Sequence, residues 1–147
     1  MPIMPVLDLA TFALDTGLLV LIWLVQLVIY PGFRVVEAGT FRSWHAQYTH
    51  RMGWVVIPLM FGQLGCHAAL AWGSPTCPAV LLALAGVIVA WVLTFVKAVP
   101  LHRQLSRQGK NATAIDRLVR VNTWRTVAWT FTWAVTGVRL GIEALNA

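Results

Sequence analysis

The stretch at residues 79–99, AVLLALAGVIVAWVLTFVKAV, has no charged side chain between Val80 and Val96. Read as an α-helix rising about 1.5 Å per residue, it reaches across roughly 30 Å, the thickness of a bilayer's hydrocarbon. A helix this apolar on every face belongs in a membrane or a large core. Working outward, three further apolar runs have the same length: residues 9–30, 53–72 and 122–144. The first is interrupted by Asp15 and Gln26 and ends at Pro31-Gly32. The second holds Pro58, expected to kink it, and closes at Gly73-Ser74-Pro75. The third has Pro100 as its stop, and the fourth opens with Arg125 and carries Trp124, Trp129 and Trp133. The expected architecture is all-α: a single four-transmembrane-helix bundle occupying residues 1–147.

Composition agrees. Of 147 residues, 59% are hydrophobic and 11% charged, against about 25% charged in an average soluble domain. No separate soluble domain fits in that length. The net charge of +6 is carried by basic residues crowded beside the apolar runs, a membrane-loop pattern rather than a nucleic-acid groove, so no nucleic-acid partner is expected. Cys66 and Cys77 make neither a CxxC nor a zinc-finger spacing and read as packing residues rather than a disulfide. The opening MPIMPVLDLA has no Lys or Arg, so it lacks the charged region of a cleavable signal, and the first helix is expected to be retained.

Arg34, Arg42 and Arg51 lie between runs one and two. Lys97 at the end of run three, and Arg103, Arg107, Lys110, Arg117 and Arg120 between runs three and four, make the second basic set, whereas residues 73–78 carry no charge. The positive-inside rule therefore places both basic loops in the cytoplasm and both termini in the periplasm, N-out and C-out, in a bacterial inner membrane. Each basic loop is expected to hold a short interfacial helix, at residues 40–50 and 112–121, capped by Thr40 and Asn111. The two halves also echo each other, Pro31-Gly32-Phe33-Arg34 answering Pro100-Leu101-His102-Arg103, a weak sign of duplication about an axis along the membrane normal.

Polar residues inside a membrane are costly, so they are the first candidates for function. Gln63 and His67 are four apart on one helical face, and Gln26 stacks with Trp23 and Tyr30 at helical spacing. These groups are expected to point into one cavity, with Asp15 solvated at the outer interface. At the cytoplasmic boundary a second set gathers: His45 and Tyr48, His102, and Asn122 with Arg125. His can act as acid or base, Arg can neutralise an oxyanion, and Asn or Tyr can orient a carbonyl or phenol, chemistry suited to an aromatic or quinone-like ligand. The candidate site is thus His102, His45 and Arg125 for catalysis, with Asn122, Gln26, Gln63, Tyr48, Tyr30 and Trp129 for binding. The plainer account is interfacial anchoring for His50, Arg42, Arg51 and most tryptophans, and interhelical hydrogen bonding for Gln26, Gln63, His67 and Asn122. No cofactor is called for, but haem or a metal held by His45, His67 and His102 is an alternative, although no HxxxH or CxxCH spacing occurs. Catalytic triads, phosphate-binding glycine loops and paired carboxylates are absent, which disfavours hydrolase and nucleotide chemistry.

Val99-Pro100-Leu101-His102, Leu118 and Asn122-Thr123-Trp124-Arg125-Thr126 resemble the signature of the anthrone-oxygenase-like family of small four-helix membrane proteins. Pro31, the helix around Phe41 and Pro58 fall at compatible places. The resemblance implies a four-helix fold over the whole chain and, for a few members, cofactor-independent oxygenation of polycyclic phenols. It would make Asn122 and Arg125 ligands of the substrate's oxygens and His102 or His45 its base. His102 stands where the family pattern has asparagine, and the Trp44-His45 and Tyr48 group is additional. Two rival expectations remain: a non-catalytic accessory subunit of a larger respiratory or photosynthetic complex, or a homo-oligomer, and a haem or metal protein. The topology has its own test: a reporter fused after Ala147 should read periplasmic, and a cytoplasmic signal would reverse the orientation.

Overall fold

The computed structural model describes the backbone of residues 3–146 and the side chains of residues 5–146. Four antiparallel helices make up the fold. Helix α1 runs Ile3–Leu24, widens into a π-helical turn at Val25–Ile29 and finishes as Tyr30–Gly32. Helix α2 is Ala38–Gly73. Helix α3 runs Pro78–Val92, passes through a second π-helical turn at Leu93–Ala98 and continues as Val99–Gln108. Helix α4 is Ala112–Leu145. Three of them are long and apolar enough to cross a membrane, over Pro5–Gly32, Ala38–Gly73 and Pro78–Gln108. Each helix packs on its two neighbours, α1 on α2, α2 on α3, α3 on α4 and α4 on α1, so the bundle is square in section.

Both π turns have the same cause. A proline lacks the N–H of an α-helical bond, and its ring crowds the carbonyl four residues earlier. For Pro31 that carbonyl belongs to Leu27, and for Pro100 to Val96, each inside a π turn. Widening the turn relieves the clash without ending the helix. Pro100 is therefore not a stop, and α3 carries on for two further turns to Gly109, whose φ of 84° closes the helix while its N–H bonds to the Leu105 carbonyl at 3.0 Å. The echo between the halves extends to this device, a π turn followed by proline.

The expected short interfacial helices at 40–50 and 112–121 do not exist as separate elements. They are the opening turns of α2 and α4, which run unbroken into the apolar segments, α2 remaining helical through Pro58. No breaker separates the basic and apolar stretches, and an uninterrupted helix keeps its backbone groups paired where the chain enters hydrocarbon. Asn111 caps α4 as expected, accepting from Ala114 N at 2.9 Å. Thr40 does not cap α2: Glu37 takes that position without a side-chain bond, and the Thr40 hydroxyl donates to the Glu37 carbonyl.

At one end of the bundle Arg139 bonds both Asp8 and Glu143, tying the start of α1 to the end of α4. At the other, basic end, Arg34 pairs with Asp116 at 2.6 Å, and Lys110 Nζ donates to the carbonyls of Arg34 and Val36, both at 2.7 Å. One apolar cluster, including Phe33, Phe41, Leu105, Ile115 and Leu118, fills the basic end. A second, including Leu18, Ile22, Met60, Ala90 and Trp129, fills the middle. Cys66 and Cys77 are unpaired and half-buried.

Helices α3 and α4 pack closely at Gly86, where an added methyl would run into Thr132 Oγ1. Gly86→Ala should therefore cost about 1–3 kcal/mol through overpacking. Gly65, which has nothing within 4 Å, serves as control: Gly65→Ala should be neutral or stabilising by about 0.5–1 kcal/mol. Thermal unfolding of both variants in one detergent checks the contrast, and equal behaviour would refute the contact.

Candidate functional site

Asp15 is not solvated at an interface: it is 1% exposed, in the interior of the bundle. Gln63 Nε2 donates to its Oδ1 at 2.7 Å, His67 Nε2 at 3.0 Å, and the Thr136 hydroxyl donates to Oδ2 at 2.8 Å. A carboxylate in hydrocarbon is tolerable only when surrounded by donors in this way. Three helices are thus fastened at one point. Trp129 Nε1 extends the network by donating to Gln63 Oε1 at 2.9 Å.

On the other side of Trp129 lies the guanidinium of Arg125, its Cζ 5.1 Å from the centre of the indole ring. Arg125 is 6% exposed. Its Nη1 donates to Asn122 Oδ1 at 3.0 Å, and Asn122 Nδ2 in turn donates to Gln26 Oε1 at 2.8 Å. Gln26 completes this chain by donating to Thr123. Arg125 Nε has no partner, and none of the ion pairs among the described residues includes Arg125. Among the described residues, this buried cation has a neutral amide, an aromatic face and the neighbouring Tyr30 hydroxyl but no carboxylate, and so retains unmet capacity for an anion.

That capacity opens onto a cavity of about 410 Å³ in the basic half of the bundle, within the usual size range of small-molecule sites. All four helices wall it. Leu18, Ile22, Val56 and Met60 make its deep part apolar, and the polar groups converge at the other end: Tyr30, Tyr48, His102, Arg125. Its exposed rim comes from Ile57 of α2 and from Phe95, Arg103 and Arg107 of α3. Both π turns border it, through Val25 on α1 and through Thr94, Phe95 and Ala98 on α3.

Tyr30 Oη lies 2.8 Å from His102 Nε2. His102 Nδ1 lies 3.1 Å from His45 Nε2, and His45 Nδ1 is 2.9 Å from the Ser106 hydroxyl. Phe33, 0% exposed, holds this group together by edge-on contacts to His45 at 5.3 Å, Tyr48 at 5.2 Å and His102 at 6.4 Å.

Of the residues singled out in the sequence, Tyr30, Tyr48, His102, Arg125 and Trp129 line one cavity. His45 stands behind His102, Asn122 behind Arg125, and Gln26 behind Asn122. Gln63 and Gln26 do not share a cavity: Gln63 belongs to the Asp15 network. His67 also belongs there, so His45, His67 and His102 do not assemble as one metal-ligand set, and no cluster of three such ligands occurs among the described residues. Sequence reasoning missed Ser106 and Phe33. With Pro100 taken as a stop, the four-residue spacing of His102 and Ser106 on one helical face had no helix to act on. Compared with models of known protein families, with curated proteins and with solved structures, the chain matches none.

The Asp15 network should be structural. Asp15→Leu would strand His67, Gln63 and Thr136 without their acceptor, and removing one member of a buried polar network costs about 3 kcal/mol. A large drop in thermal stability of the detergent-solubilised protein is the expected result. An unchanged melting temperature would refute this role.

Proposed function

We propose that this protein is a small integral membrane protein of four spans, with both termini periplasmic, whose interior site near the cytoplasmic leaflet binds an aromatic or quinone-like molecule bearing an oxygen with anionic character. Arg125 carries the reading. Its guanidinium, buried in the cavity wall against Trp129 and without a carboxylate partner among the described residues, is placed to neutralise such an oxygen. The apolar remainder of the wall suits a flat ring system, and Met52 and Met60 can adapt to its outline. Ile57 and Phe95 at the rim would admit a ligand dissolved in the bilayer. The fourth span is α4, whose aromatic and polar face lies inward, bonded to α1 and α2 through Trp129, Thr136 and Asn122.

A second, catalytic reading follows from the hydrogen bond between Tyr30 and His102, which sets a proton acceptor beside the anion site. In that reading the protein is a cofactor-independent oxygenase of phenolic substrates, in keeping with the resemblance of residues 99–102 and 122–126 to the anthrone-oxygenase-like family.

Binding is tested by titrating a hydroxy-anthraquinone into nanodisc-embedded protein, with empty nanodiscs as the partition control. Arg125→Met should weaken binding at least tenfold, about 1.4 kcal/mol; equal affinity would remove the anion site. Oxygen uptake with an anthrone then separates the readings. The catalytic one expects His102→Gln to abolish uptake with binding kept, and no uptake by the native protein would leave a binding protein.

A further inference from the structure

The four groups Tyr30, His102, His45 and Ser106 form one unbranched chain of hydrogen bonds, with spacings of 2.8, 3.1 and 2.9 Å. Each imidazole is bonded through both nitrogens. A neutral ring has one N–H and one lone pair, so the chain has two self-consistent directions. Donors can run from Tyr30 through His102 and His45 to Ser106, or the whole way back. Fixing the rings in place would require no such continuity, because one bond to a carbonyl orients a histidine. His45 is 0% exposed, stacked on Phe41 at 5.4 Å, so the chain is closed to water at this link. Its two ends are not equivalent. Tyr30 is buried in the cavity wall with Arg125, whereas Ser106 lines the same cavity half-buried, in the rim segment that carries the exposed Arg103 and Arg107.

We propose that this chain is a proton relay serving the ligand site, and that Tyr30, rather than either histidine, is the group that meets the ligand's hydroxyl. The inference rests on the binding reading above. As the ligand's O–H bond breaks, its proton joins the Tyr30 oxygen, and the Tyr30 proton passes to His102 Nε2. The proton on His102 Nδ1 passes to His45 Nε2, and that on His45 Nδ1 passes to the Ser106 oxygen. The original Ser106 proton leaves to water at the rim. All four groups end neutral, each having gained one proton and lost one, and the ligand is left as an oxyanion beside Arg125. Nothing is oxidised or reduced. The chain now points the other way, so it returns a proton to the product by the same steps in reverse.

The arrangement answers a physical need. A flat apolar ligand filling the cavity displaces water and with it any water-borne path for the proton. A side-chain path in the wall works while the cavity is full. The charged residues that line the cavity, Arg125 from α4 and Arg103 and Arg107 from α3, are cationic, as is Arg42 from α2, whose Nε donates to the Ser106 carbonyl at 3.2 Å. No carboxylate pairs with His45 or His102 among the described residues, so the rings are placed to pass a proton on and not to hold it.

Two measurements test the relay, one of them without any ligand. In the ligand-free protein labelled with 15N-histidine, Tyr30→Phe should shift the ring-nitrogen signals of both His102 and His45; an unmoved His45 would overturn the relay whatever the cavity binds. In nanodiscs, a hydroxy-anthraquinone that changes colour on ionisation should bind His45→Ala within about twofold of native affinity. Its ionisation should appear at least tenfold more slowly and recover on adding imidazole. Native-rate ionisation in His45→Ala would overturn the relay. A native protein that does not bind the dye, with both histidine signals moved by Tyr30→Phe, would sink the binding reading while leaving the chain itself standing.

Discussion

A carboxylate inside hydrocarbon has to be surrounded by donors, and Asp15 obtains its donors from two helices other than its own. Gln63 and His67 come from α2 and Thr136 from α4. Van der Waals contact alone leaves apolar helices free to slide and rotate, because lipid is as good a neighbour as leucine. The Asp15 bonds remove that freedom at one depth. They also fix Gln63, which holds the Trp129 indole edge, and the indole face lies against Arg125. The orientation of the cation in the cavity therefore depends, through two side chains, on an acid that does not itself line it.

The cavity owes its position to the prolines. Pro31 and Pro100 each force a π turn one turn earlier, and the additional residue in each turn widens the helix where the bundle would otherwise close. Tyr30 and His102 sit just beyond these turns, one on each helix, and meet at 2.8 Å. Phe33 then packs this end with ring edges, so the polar groups are held by aromatic contacts on one side and open to the cavity on the other.

Much of the architecture was legible in composition alone, because a long run without charge, as at 80–96, admits few structures. The all-α class and the approximate extents of the apolar segments follow from that. What eluded the sequence were relations that require a continuous helix through a proline or across a basic stretch. The 40–50 segment reads as separate because its polarity changes at residue 53, but polarity does not break hydrogen bonds and α2 continues. Asp15 was misplaced because its depth was inferred from its own helix, whereas its burial is decided by donors 48 and 121 residues away. Tyr48, His102 and Arg125 were legible as one group because each is a polar residue at the cytoplasmic boundary of its segment, whereas Tyr30 read with Gln26 and Trp129 only as an aromatic of the fourth run. Ser106 gave no such signal, being an ordinary small polar residue in a basic segment.

The rim made by Ile57 and Phe95 changes what concentration means for this cavity. If the proposed ligand arrives between α2 and α3, it is drawn from the lipid phase, and occupancy would follow its abundance per unit of bilayer and not its level in water. Every methylene added to such a molecule improves its transfer into the membrane by about 0.8 kcal/mol, whether or not it touches the protein. A ranking of compounds by aqueous dose would then report mostly their partitioning. For the proposed site, the protein's own selectivity would be what is left after that partition is divided out, set by the small polar end of the cavity.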